Sequence, residues 1–211
     1  MTIAGGTIYT IGHSTHPIER FVELLQRHGI QILADVRSTP FSRFNPQFNR
    51  ASLGHSLASA GIRYEFMGEE LGARTSDPTC FENGRVSYAR LAATPLFQRG
   101  LARVREAAAT QRIAIMCAER EPLDCHRTIL VARELERAGE TVTHILAEGS
   151  LEENRHALGR LIERLRLPAD DLFAAGEAER IQTAYDAQAS RVAWGPKAGK
   201  DSGVRRGKPS A

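Results

Sequence analysis

Apolar runs alternate with turn signals along this chain in the manner of a repeated strand–helix–strand unit. Thr7-Ile8-Tyr9-Thr10-Ile11-Gly12 reads as a first buried strand. Pro17 opens a helix whose Ile18, Phe21, Val22, Leu24 and Leu25 form one apolar stripe, and Gly29 stops it. Ile30 to Val36 is a second strand, Ala51 to Ala60 a short helix ended by Gly61, and Ile62 to Phe66 a third strand. Met67 to Val86 is rich in Gly, Pro, Asp and Asn without periodicity, which predicts a long surface loop. A helical region from Ser87 to about Ala109 is interrupted at Pro95. Arg112 to Cys117 is a fourth strand. Asp124 stands where it can cap a helix carrying Ile129, Leu130, Ala132 and Leu135 inward, with Gly139 at its end. Thr141 to Leu146 is the fifth strand, and two amphipathic helices follow near Leu151–Arg166 and Gly176–Ser190.

This order implies an α/β fold: three layers, a mostly parallel five-stranded sheet and helices on both faces. Residues 1–190 read as one domain with a helical extension over 150–190, and 191–211 as a basic tail whose composition predicts disorder. With 42% hydrophobic and 25% charged residues the chain has the composition of a globular domain. No apolar run approaches the roughly 20 residues of a membrane span. The N-terminal residues lack the basic start and apolar stretch of an export signal. Cys80, Cys117 and Cys125 are too few for a disulfide scaffold, so a reducing, cytoplasmic setting is expected. Of the formal charge of +3, the tail supplies Arg191, Lys197, Lys200, Arg205, Arg206 and Lys208 against Asp201. The rest of the chain is therefore mildly acidic, and the basic character belongs to the tail.

In parallel sheets ligands bind beyond the carboxyl ends of the strands. Gly12-His13-Ser14 follows the first strand, Asp35-Val36-Arg37 closes the second, Cys117-Ala118-Glu119 closes the fourth, and Cys125-His126-Arg127 opens the next helix. Gly12 lets backbone approach a ligand; His13 suits proton transfer near neutral pH, while Ser14 reads equally as a helix cap. Asp35 is a carboxylate in an apolar strand, either poised for chemistry or paired with Arg37 as a structural unit. The loop Ser38–Arg50 interleaves Phe41, Phe44 and Phe48 with Arg43, Asn45 and other amides. That mixture suits stacking on a base and gripping a phosphate, against the plainer role of pinning a loop to the core. Cys117 and Cys125, with Glu119 and His126 alongside, lack the close pairs of common zinc sites, so no metal is assigned and a Cys117–Cys125–His126 site stays an alternative. Cys125 at a helix start beside His126 and Arg127 has the setting of an acidic thiol, and Arg127 that of an anion contact.

Thr10-Ile11-Gly12-His13-Ser14, Asp35-Val36-Arg37, Asn45-Pro46-Gln47-Phe48-Asn49, Cys117-Ala118-Glu119 and Cys125-His126-Arg127 together resemble the signature of the domain of unknown function 488 family, over about Thr7 to Gly149. The resemblance implies a bacterial or archaeal cytosolic α/β protein and supplies no reaction. Leu71-Gly72-Ala73 stands where that family often has Leu-Gly-Gly. A slighter likeness to rhodanese-type sulfurtransferases, through Ala34–Arg37 and a later cysteine, is opposed by the acids that follow Cys117.

Three functions are compatible with these residues. The first is an enzyme binding an anionic, nucleotide-like ligand. Arg37, Arg43 and Arg127 would take phosphate, an aromatic from the Phe41–Phe48 loop would stack on the base, and His13, Asp35 or Glu119 would work on a glycosidic bond. The second is a thiol- or metal-dependent enzyme using Cys117, Cys125 and His126. The third is a non-catalytic nucleic-acid-binding module, with weak contacts through the basic tail. No cofactor is assigned.

Overall fold

The computed structural model describes residues 6–167 and 176–195, so the run beyond Gly195 that reads as a disordered tail lies outside the described residues. Strand β1 (Thr7–Gly12) leads into helix α1 (Ile18–Arg27), β2 (Ile32–Asp35), α2 (Arg50–Ser59) and β3 (Arg63–Phe66). The segment read as a long loop holds the short helix α3 (Gly68–Leu71) and a two-stranded hairpin, β4 (Phe81–Glu82) and β5 (Arg85–Val86). Helices α4 (Tyr88–Ala92) and α5 (Pro95–Ala108) break at Pro95, as a residue lacking an amide hydrogen requires. Then come β6 (Ile113–Cys117), a π-helical turn (Arg127–Ala132) running into α6 (Arg133–Arg137), and β7 (Thr141–Ile145). The chain closes with β8 (Leu151–Glu153), α7 (Asn154–Leu165) and α8 (Glu177–Val192).

The main sheet has six strands in the order β3-β2-β6-β1-β7-β8, parallel throughout except for the antiparallel edge strand β8. The α/β class with helices on both faces is as the pattern implies, with β8 added. Alternation along the strands builds two cores. Ile11, Leu33, Ala114 and Met116 face α1 and α2. Ile8, Ile32, Ala34, Ile113, Ile115 and Cys117 face α5, the π-turn and, beyond it, apolar residues of α7 and α8. No helix among the described residues is long and apolar enough to cross a membrane.

The topology places the site. β1 and β2 hand the chain to α1 and α2 on one face, whereas β6 hands it to the π-turn on the other. Adjacent strands that depart to opposite faces leave a crevice at their carboxyl ends. Here Gly12 is level with Cys117, and Asp35 with Met116, so three strand ends open into one crevice.

Candidate functional site

The crevice is a cavity of about 610 Å³ whose lining includes His13, Ser14, Arg37, Phe41, Asn45, Cys117, Glu119, Cys125 and His126. Gly12, Arg43, Phe44 and Arg127 are not part of the lining.

On the β2 side, Arg37 is engaged by its neighbours. Its Nε and Nη2 donate to the two oxygens of Asp35 at 2.9 and 2.6 Å, Nη2 also donates to the Phe48 carbonyl at 2.8 Å, and Nη1 meets His13 Nε2 at 3.1 Å. Asp35 is fully buried and takes two further donors, the Arg37 amide and the Tyr64 hydroxyl. This carboxylate is a structural anchor with its acceptor positions filled. His13 Nδ1 lies 2.8 Å from the Ser14 carbonyl, so Nδ1 carries the hydrogen and Nε2 accepts from Arg37. Burial and the adjacent Arg37 charge lower its pKa to about 4. The ring stacks on Phe48 at 4.2 Å, which the buried Phe48 side chain holds from below. The basic nitrogen of His13 is thus engaged by Arg37, although the residue lines the cavity. Ser14 does not cap α1: Pro17 takes the cap position, and Ser14 has a left-handed backbone (φ 48°) with its amide bonded to the Ala118 carbonyl.

On the β6 side four reactive groups converge. Cys117 points to the α5 face because it continues the Ile113, Ile115 alternation, and the segment after β6 packs back onto that face. Cys117 Sγ lies 3.6 Å and Cys125 Sγ 3.9 Å from His126 Nδ1, while Cys125 Sγ and Glu119 Oε2 are 2.9 Å apart and share a hydrogen bond. His126 Nε2 donates to the Val36 carbonyl at 3.0 Å, which turns Nδ1 toward both sulfurs. The three donor atoms of Cys117, Cys125 and His126 lie within 4.8 Å of one another and are buried.

Asp124 is not the cap of the following helix; it ends a short 3₁₀ turn and bonds Arg164 and Gln188. Cys125 takes the capping role: its carbonyl accepts from Thr128 and Ile129, and its sulfur from the Arg127 amide at 3.4 Å. Arg127 is 1% exposed and donates to the carbonyls of Glu119 and Arg120 at 2.7 and 3.2 Å, so it holds the β6 loop rather than facing the cavity.

Electrostatics divides the four groups. Burial opposes a Cys125 thiolate, but the hydrogen bond from Cys117, the Arg127 charge and His126 outweigh it and carry its pKa well below the usual thiol value. Burial and the neighbouring Cys125 push Cys117 well above it. Glu119 is raised by the protein surrounding its carboxyl and by Cys125, although its side chain remains open to the cavity.

The far wall was not marked by any periodic signal. It consists of Arg74, Tyr88, Val192 and Trp194. Trp194, the chain's single tryptophan, is fixed through its carbonyl to the Val86 amide and packs edge-on to Phe81.

The family model for the domain of unknown function DUF488 matches residues 17–133, more than half of the chain. The chain belongs to the DUF488 family. The DUF488 match contains Arg37, Glu119 and the whole Cys117–Arg127 segment, and begins after the Gly12-His13-Ser14 turn, a narrower span than the motifs alone implied. Comparison with curated proteins and with solved structures gave no match.

Proposed function

We propose that this DUF488 protein is a metal-dependent enzyme of the hydrolytic class. Cys117, Cys125 and His126 hold one zinc-type ion at the floor of the cavity, and Glu119 moves the proton of the attacking water. The observation that carries this reading is the spacing of the donor atoms. Zinc bonds of about 2.3 Å to sulfur and 2.0–2.1 Å to nitrogen, at tetrahedral angles, separate a sulfur and a nitrogen ligand by about 3.6 Å. The two sulfur–nitrogen separations here are 3.6 and 3.9 Å. The Val36 carbonyl fixes the imidazole tautomer that a metal needs.

An ion held by only three protein side chains beside a cavity would resemble catalytic rather than structural zinc. Two thiolates would balance the ion's charge, and the Arg127 guanidinium, buried on the carbonyls of Glu119 and Arg120, favours the Cys125 thiolate. A bound ion brings the pKa of its water to about 7. Glu119, its oxygen 2.9 Å from Cys125 Sγ and its pKa raised, suits taking that proton and returning it to a leaving group.

Of the groups a glycosidic mechanism on an anionic ligand would draw on, neighbours engage Asp35, His13, Arg37 and Arg127, which leaves it Glu119 and Arg43. That is why the metal reading stands ahead of it. Elemental analysis of chain purified without chelators tests the proposal. About one zinc or similar ion per chain is expected, lost in Cys117→Ser and His126→Ala and retained in Glu119→Gln. Absence of stoichiometric metal, with rapid alkylation of Cys125 at neutral pH, overturns it in favour of a thiol nucleophile.

A further inference from the structure

Most large apolar side chains are buried, but Phe41 is 65% and Phe44 86% exposed, three residues apart on the loop that follows β2. The loop is built to hold them outward. Phe48 is buried under His13, the Ser42 amide donates to Asn49 Oδ1 at 2.7 Å, and the Ser42 hydroxyl oxygen accepts from the amides of Phe44 and Asn45. Phe41 lines the cavity, whereas Phe44 stands outside it.

Guanidinium groups accompany the aromatic rings on both lips of the cavity. Arg43 lies over Phe44 at 5.8 Å on one lip, and Arg74 over Trp194 at 5.8 Å on the other. Neither arginine has a carboxylate partner among the described residues, in contrast to Arg103, Arg105 and Arg160, which are ion-paired. Aromatic faces with uncommitted cations recognise ligands that are planar and anionic at once. A single nucleotide inside the cavity would use Phe41, Arg74 and Trp194 and leave Phe44 and Arg43 idle.

We infer that the ligand is a single-stranded nucleic acid, one nucleotide of which enters the cavity while its neighbour stacks on Phe44 and its phosphate meets Arg43. This deepens the proposed function by naming the substrate class, and rests on it only in taking the cavity as the place of reaction. A paired duplex keeps its bases stacked internally, so it offers Phe44 no open face.

The test uses the full chain, a short labelled single-stranded oligonucleotide read by anisotropy, and nucleoside monophosphates read by quenching of Trp194. Phe44→Ala removes an exposed ring and leaves the core untouched. It is expected to weaken oligonucleotide binding by about tenfold, within the range for one base–aromatic stack, and to leave mononucleotide binding unchanged. Affinity for the oligonucleotide should fall with added salt and exceed that for the matching duplex. Three results overturn the inference: no oligonucleotide binding, binding indifferent to Phe44→Ala, or an equal loss for mononucleotides, which would make the loop a lid on a small ligand. Metal content measured on the same samples separates the two proposals. Phe44-dependent binding by metal-free chain sinks the metal centre alone, and metal-bearing chain blind to the oligonucleotide sinks the substrate alone.

Discussion

Asp35 and Arg37 show how little a residue's type says about its role until its partners are known. Both stand at a strand end beside a cavity, where a carboxylate and a guanidinium invite a catalytic reading. Yet Asp35 accepts from two Arg37 nitrogens, a backbone amide and a tyrosine, and Arg37 reaches on to His13 and Phe48. Asp35→Ala should therefore act on stability first. Removing one partner of a buried pair leaves an uncompensated charge, at a cost of about 3–5 kcal/mol. Urea unfolding reads that loss directly, and a near-wild-type midpoint with lost activity would return Asp35 to the chemistry. Gly12 gives the same lesson in backbone. A Cβ there would sit 1.9 Å from the Glu119 carbonyl oxygen, so Gly12→Ala should displace the very loop that carries Glu119. Lower thermal stability and impaired metal retention are the expected readings.

Among the elements, those with a long local period were legible and those held by distant contacts were not. The bounds of β1 are legible in the sequence, because its apolar run is local. β8 has three residues and pairs antiparallel to β7 after a tight turn, so its strand character comes from the partner rather than from its own pattern. The π-turn after Cys125 likewise carries no sequence signature. π-helical turns are often found at functional sites, and this one follows directly on Cys125 and His126. Behind it runs a buried polar chain. Thr10 Oγ1 bonds His144 Nδ1 at 2.8 Å, His144 Nε2 bonds Asn154 Oδ1 at 2.9 Å, and Asn154 Nδ2 donates to Glu136 and Tyr185. It ties β1, β7, α6, α7 and α8 together, and none of its residues lines the cavity. Asn154→Ala would leave several of these groups unpaired, each worth about 1–3 kcal/mol. A fall in melting temperature with unchanged metal content is the expected outcome, and an unchanged melting temperature would show the chain to be dispensable.

For the whole molecule, two buried histidines set a pH limit. His13 and His144 both have pKa values lowered to about 4, by burial first and then by Arg37 and Arg127 respectively. Between their folded values and the ordinary 6.5, the unfolded chain takes up protons that the folded chain refuses. Their stabilising contribution is complete above 6.5, declines as pH falls toward 4, and changes no further below that. At roughly 1.4 kcal/mol per pKa unit, each contributes on the order of 3–4 kcal/mol to that decline. Melting temperature should drop steeply between about pH 6.5 and 4.5, and less so in His144→Asn. A flat profile over that window would show that neither ring is held neutral.

The sequence by itself determined the succession of strands and helices, the α/β class, and the placement of His13, Arg37, Cys117 and Cys125 at element ends, since all of these follow from periodicity over a few residues. Only the tertiary structure decided that β1 lies between β6 and β7, because strand order depends on which edges pair across the chain. That insertion brings the strand ends together and fixes who meets whom. Arg127, a phosphate grip by position, is turned inward onto two carbonyls, and Cys117 and Cys125, too widely spaced to read as a zinc pair, share one imidazole. Arg74 and Trp194 reach the cavity from segments with no pattern of their own. Hydrogen-bond partners and pocket walls are long-range properties, and no local period records them.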